Sequence, residues 1–237
     1  MRSRRPLTRF TALELVEGIR LIDSFFPSGG FAYSSGLEAA VQGGAVKAEA
    51  ELQSFLQTHL RFGLGTREAV AVARARQAAV DGDVRNAIEC DWELESLKLS
   101  SATREASRQM GRQVARMLSD EPETPSMVSD FATAVETKST PGHLAVALGV
   151  VLGAQGWSCE HAVAGFLYHS LVGTVSAALK LLPLGQQAGQ RLLKGCLPAL
   201  AELSVTVSAD QVMAGWTPLH DLFAMRHGGL EHRLFRS

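Results

Sequence analysis

The run from Ser158 to Leu182, SCEHAVAGFLYHSLVGTVSAALKLL, constrains the fold more than any other stretch of this chain. Val163, Phe166, Leu167, Leu171, Val175 and Leu179 recur at helical spacing, and the apolar residues spread over most of the helix surface instead of forming one stripe. A helix apolar on most sides needs neighbours on most sides, so this one is expected in a central, largely buried position. Pro183 cannot continue it and stops it.

The rest of the chain supplies the neighbours. Ala12–Leu21 places Leu13, Val16 and Ile19 on one face, and a helix at about 35–41 follows serines able to cap it. Lys47–Phe62 carries Leu52, Phe55, Leu56, His59 and Leu60 at helical spacing, and after a Gly-Leu-Gly break Thr66 is the expected cap of EAVAVARARQAAV, which ends in the turn signal DGD. Helices are then expected over Asp83–Leu97 and Ser101–Leu118. The second carries Arg104, Arg108, Arg112 and Arg116 as a row that reads as a solvated face. The loop EPETPS separates the halves. Beyond it a helix is expected through Leu152 with Pro141 at its first position, then the long apolar helix, then Gly185–Leu203 bent at Pro198, and finally Pro218 to about His227. The clearest period-two run, SVTVS, is short and isolated. The expectation is all-α: a single helical-bundle-like domain of about ten helices over 1–237, with a flexible lead at 1–10 and a tail at 228–237.

Composition excludes several classes. With 237 residues, 46% hydrophobic and 20% charged, the chain can bury a large core, and a formal charge of −1 gives no basic field for nucleic acid. MRSRRPLTR is basic but short, and it leads into TALELVEGIR, not an apolar signal core; no uncharged apolar run approaches the ~18 residues of a membrane span. A cytoplasmic protein is expected. Cys90, Cys159 and Cys196 are odd in number and far apart, which argues for reduced, buried thiols over a disulfide framework or a zinc site.

One block, FFPSGGFAYSSGLE at Phe25–Glu38, is dense in glycine, serine and aromatic residues. It lacks the lysine and preceding strand of a phosphate-binding loop and the GxSxG context of a serine nucleophile. His59, His143, His161, His169, His220, His227 and His232 form no HExxH or Cys/His cluster. No catalytic residue, cofactor site or metal site is therefore assigned. The block suits a tight turn: Pro27 fixes φ, Gly29 and Gly30 admit left-handed or close-approach backbone, and Phe31 and Tyr33 present rings before Ser34 or Ser35 starts a helix.

FFPSGGFAYSSGLE, then TREASRQMGRQVARML, GHLAVALGVV, ALKLLPLGQQAGQRLL and the terminal RLFRS, in that order, resemble the urease accessory protein F (UreF) family over most of the chain. Lys180 departs from that pattern, since the family more often has arginine there. The resemblance implies an all-α, usually dimeric, non-enzymatic chaperone of nickel delivery. Such a protein binds accessory protein D (also called H) and recruits and regulates the GTPase UreG, whose nickel passes to apo-urease. It also implies that Pro27, Gly29, Gly30, Phe31, Tyr33, Ser34, Gly36 and Glu38 shape a dimer or partner surface. Arg233, Leu234, Phe235, Arg236 and Ser237 would form a partner-binding tail, mobile when free, whose Leu234 and Phe235 fill apolar pockets once docked. Arg104, Glu105, Arg108, Met110 and Gly111 match a family block as well. Two other readings are a direct nickel carrier using the histidines, and an enzyme on an α-helical scaffold using His143 and Glu105.

Overall fold

The computed structural model describes residues 11–236, the side chain of Phe31 excepted. The expected lead at 1–10, Ser237 and the Phe31 ring thus lie outside the described residues. Eleven α-helices and no strand occur among the described residues, so the all-α expectation is met.

At the centre, α4 (Glu68–Asp81) and α8 (Leu144–Ala154) pack backbone to backbone. Helix α8 reads LAVALGVVLGA, and every residue from Leu144 to Gly153 is buried. A Cβ built on Gly149 would stand 2.7 Å from the Val72 carbonyl oxygen and 2.8 Å from Ala75 Cβ; on Gly153 it would stand 2.6 Å from the Arg76 carbonyl oxygen. Ala75 and Ala79 make the facing side of α4 equally thin. The alanine run that reads locally as good helix former is thus also the surface that lets a second helix approach.

Helix α9 (Cys159–Leu181) lies beside this pair and α10 (Gln186–Thr206) beside α9. As the sequence places it, α9 is central and largely buried, packing against more neighbouring elements than any other helix, while α8 is the more completely enclosed. Helix α9 buries Val163, Phe166, Leu167, Leu171 and Val175 on one side and leaves Tyr168 exposed on the other. By length and composition α9 could cross a bilayer, which the sequence reading had excluded. Its apolarity is accounted for by α4, α8 and α10, which pack against it.

The outer helices are α1 (Ala12–Ile22), α2 (Leu37–Gln42), α3 (Glu49–His59), α5 (Val84–Leu97), α6 (Ser101–Ser119), α7 (Ser126–Glu136) and α11 (Pro218–His227). Helix α7 is absent from the sequence reading. Met127, Val128, Phe131 and Val135, all buried, repeat at helical spacing, but the prolines of EPETPS draw attention to a loop instead. Pro141 does not open α8, because Asp91 of α5 holds that turn in a non-helical path with Gly142 at φ +79°. Its buried carboxylate accepts the Thr140 hydroxyl (2.6 Å) and the amides of Gly142 (2.5 Å) and His143 (3.0 Å), and α8 starts only at Leu144. Helix α3 ends at His59 and passes into a π-turn at Leu60–Leu64. Residues 204–206 of SVTVS continue α10, which keeps Pro198 inside it.

The arginine row of α6 is solvated only in part: Arg112 and Arg116 are exposed, the Arg116 guanidinium donating only to Gln113 of its own helix, while the other three reach neighbouring elements. Arg108 contacts Glu95 through two nitrogens, Arg104 donates to the Lys98 and Leu99 carbonyls, and Arg112 Nε donates to the Pro141 carbonyl at 3.3 Å. The row stitches α6 to the α5 end and to the α8 entry.

Gly149→Ala is expected to destabilise the protein by about 1–3 kcal/mol although alanine is the better helix former, because its Cβ meets backbone of α4. Gly173→Ala on α9, where nothing lies within 4 Å of the added Cβ, should be neutral or up to ~1 kcal/mol stabilising. Urea denaturation of both variants checks the pair, and equal effects would contradict the packing described.

Candidate functional site

The Phe25–Glu38 block begins where α1 ends. Asp23 Oδ1 accepts from the Phe25 amide at 2.7 Å; Phe26 then turns inward while Phe25 is 93% exposed. Pro27 and Gly29 are exposed, and Gly29 has φ +85° ahead of a 3-10 turn at Gly30–Ala32. Tyr33 is half-buried, its hydroxyl donating to Gln109 Oε1 of α6 at 2.5 Å. Ser34 is buried and its Oγ accepts from the Glu38 amide at 3.4 Å. The first residue outside α2 is Gly36, not a serine. It has φ +85°, and a Cβ there would lie 2.8 Å from the Ala224 nitrogen of α11. Glycine is required twice over, by the left-handed backbone and by the crossing helix.

Two residues later Glu38, 1% exposed, holds the other end of the chain. Its Oε1 accepts the Leu234 amide at 2.6 Å, and its Oε2 accepts the Phe235 amide at 3.1 Å and His227 Nε2 at 2.8 Å. A carboxylate can only accept, which places a hydrogen on His227 Nε2. Burial pushes the Glu38 carboxyl up, but the Leu234 amide, His227 and the Phe235 amide together hold it below the usual carboxylate range. The Arg236 amide donates to the Ala32 carbonyl at 2.7 Å, and Gln42 Nε2 donates to the His232 carbonyl at 3.0 Å. Phe235 is buried with Lys180 Nζ 5.5 Å from its ring centroid; Leu234, Arg233 and Arg236 are exposed.

The structure therefore brings both sequence-marked segments together. The sequence reading expects the tail to be mobile until a partner arrives, whereas here it is docked on the chain's own Phe25–Glu38 block. Of the two apolar tail residues expected to fill pockets, only Phe235 does so. Ser34, Gly36 and Glu38 lie inside and act on any surface through what they hold. Lys180, the departure from the family pattern, faces the Phe235 ring, where a point charge serves without a forked donor. His227 and Gln42 were missed by sequence reasoning. The one available signal was the spacing of Ala224 and His227 on one face of the last helix.

Beneath the block lies a cavity of about 120 Å³. Gly30, Tyr33 and Ser35 form part of its wall, with α4, α6, α9 and α11 around it. A buried ion triad borders it: Glu68 accepts from Lys98 Nζ at 2.5 Å and from Arg67 Nε at 3.2 Å. Despite burial, Arg67 and then Lys98 hold the Glu68 carboxyl far below its ordinary range. His59 and His220 stack beside it with centroids 5.1 Å apart. His143, which one reading paired with Glu105, is bonded to Glu95 at 2.8 Å; Glu105 accepts from Gln109. Among the described residues no group of three or more His, Cys, Asp or Glu is placed to hold a metal.

Burial pushes His59 down to about 3, helped by His220, and pushes His143 down to about 4, helped by Lys98; burial pushes Asp91 up to about 6. Between pH 4 and 6 unfolding adds a proton to each imidazole and removes one from Asp91. These three groups alone give a net uptake of about one proton. His169 and His220, pushed down by burial, add uptake of the same sign, as do the Glu38, Glu68 and Glu95 carboxylates, held below their usual range despite burial. Stability therefore rises with pH at no less than about 1.4 kcal/mol per unit. Denaturation at pH 4.5, 5.0 and 5.5 checks this, and Asp91→Asn should steepen the slope by about 1.4 kcal/mol per unit. A flat profile would contradict the burial of neutral histidines.

Glu38→Gln replaces one of two acceptor oxygens by a donor facing the tail amides. A loss of about 2–4 kcal/mol is expected, with faster trypsin cleavage after Arg233; unchanged stability and cleavage would show that the carboxylate does not hold the tail.

Comparison with known proteins follows the same lines. The UreF family model matches residues 46–197. The urease accessory protein UreF of Methylibium petroleiphilum is 34% identical, over all of this chain and 99% of its own length. Those of Haemophilus influenzae Rd and of a Nostoc species are each 30% identical, covering 98% and 97% of this chain and 97% and 99% of their own. The Phe25–Glu38 block and the tail fall outside the family-model match but inside the Methylibium alignment, which covers the whole chain. With its all-α fold and these relatives, the chain belongs to the UreF family of urease accessory proteins.

Proposed function

We propose that this chain is a non-enzymatic adaptor of urease maturation. It binds accessory protein D/H, recruits and regulates the GTPase UreG, and so directs nickel to the active site of apo-urease, acting as a homodimer in the cytoplasm. The nickel is cargo of the assembly. The observation that carries this reading is the Glu38 joint, which merges the Phe25–Glu38 block and the tail into one surface. On that surface Phe25, Pro27, Gly29, Arg233, Leu234 and Arg236 are exposed around buried Phe235, giving apolar anchors flanked by guanidinium groups.

A second surface supports self-association. Helix α11 turns His220, Ala224 and His227 inward and leaves Leu219, Leu222 and Met225 facing solvent beside Trp216, which is 80% exposed. Apolar residues in that register on the outside of a helix are what an interface between protein chains covers.

Deletion of Arg233–Ser237, and separately Tyr33→Ala, should leave a folded helical protein that captures the D/H and UreG partners at least tenfold less well in pull-down. Leu222→Arg should convert a dimer to a monomer in size-exclusion chromatography with light scattering. Wild-type capture by both surface variants would sink the adaptor reading, and an unchanged mass for Leu222→Arg would remove α11 from the dimer contact.

A further inference from the structure

The face assembled by the Glu38 joint carries cations that the chain leaves without carboxylates. Arg233 and Arg236 are exposed, as is Arg226 at the end of α11, and exposed Lys180 stands over the Phe235 ring. Among the described residues none of these four is in an ion pair, whereas Arg20, Arg61 and Arg191, equally on the surface, each hold a glutamate at 3.0 Å or less. The acids at hand do not close the balance. Glu38 is buried and spent on His227 and the two tail amides, Asp23 accepts the Phe25 amide, and Glu231 is the one carboxylate side chain between Met225 and Arg236. Four cations thus face two exposed carboxylates, in a chain whose formal charge is −1.

The cations are also held in place. The backbone from Leu234 to Arg236 is fixed by three successive amides on Glu38 and Ala32, and Phe235 is sunk beneath it. Arg233 and Arg236 therefore flank Leu234, 66% exposed, on a segment that is already ordered, which lowers the entropy cost of binding. Two guanidinium forks beside an exposed apolar side chain are complementary to carboxylates beside an apolar side chain.

The same chemistry separates the classes of partner. A second copy brought face to face here would set arginine against arginine, so this face does not serve the self-association assigned to α11. Four cations partly offset by Asp23 and Glu231 fall short of the polybasic cluster that an anionic bilayer or a nucleic acid takes. We infer that the joined face binds an acidic segment of a protein partner, with carboxylates on Arg233 and Arg236 and an apolar side chain on Leu234. The inference rests on the adaptor reading of this face and adds the partner's chemistry to it.

Pull-down of the D/H and UreG partners by the full chain tests it. The Arg233→Lys/Arg236→Lys variant keeps the charge and supplies amines. Zero-length carbodiimide coupling of its captured complex should join positions 233 and 236 to aspartate or glutamate of a partner, read as cross-linked peptides by mass spectrometry. The Arg233→Glu/Arg236→Glu variant should capture at least about tenfold less. Hydrogen exchange at Leu234 and Phe235 checks that its tail stays docked; if the tail is released, Arg233→Gln/Arg236→Gln decides, with the same loss expected. Capture of no partner by the wild-type chain overturns the adaptor reading and this inference together. Wild-type capture by the deciding variant, or a lysine variant that captures but links to no partner carboxylate, overturns this inference and leaves the adaptor reading standing. Binding of phosphatidylglycerol vesicles or of a single-stranded oligonucleotide, lost in the deciding variant, assigns the face to lipid or nucleic acid and likewise overturns it.

Discussion

The carboxylate of Glu38 is the interaction on which the functional face depends. It is buried near the start of the chain and satisfied by groups from its end: the Leu234 and Phe235 amides and the His227 imidazole. A buried charge is tolerated only when such donors surround it, and these donors have no helix of their own to satisfy them. Each side therefore needs the other, and the two ends of a 237-residue chain are joined by five hydrogen bonds once the Arg236 amide on Ala32 and the Gln42 amide on the His232 carbonyl are included.

The joint works because of the packing behind it. Helices α4 and α8 approach at backbone contact through Gly149, Gly153 and the facing alanines, and this compact pair gives α9 a wall to lie on. Lys180, near the end of α9, then reaches the Phe235 ring. Gly36 repeats the device at the surface, letting α11 cross the start of α2 so that His227 arrives at Glu38. The second polar centre, Arg67–Glu68–Lys98, follows the same rule of paired burial, with Asp221 as a second carboxylate acting on both cations.

Much of this was legible in the sequence where one local rule decides. Helical periodicity located ten of the eleven α-helices, and the glycine-rich block and the RLFRS ending were singled out as the segments that matter. Where two rules compete, local reading failed. The prolines of EPETPS hid the Met127–Phe131–Val135 spacing of α7, and Pro141 looked like a helix start because nothing local reveals that Asp91, fifty residues upstream, claims its turn. The arginine row of α6 is exposed at Arg112 and Arg116 as read, but the links made by Arg104, Arg108 and Arg112 were hidden because their acceptors, Glu95 and the carbonyls of Lys98, Leu99 and Pro141, lie outside that helix. The docking of the tail depends on a contact between residues 38 and 235, and no periodicity carries that information.

The claim that the tail belongs to the folded isolated chain is tested most directly by amide hydrogen exchange of the wild-type protein, read at Leu234, Phe235 and Arg236. Protection well above the rate of a disordered terminus is expected at all three, since each amide donates to a buried or ordered acceptor. Exchange at the rate of an unstructured peptide would contradict the account.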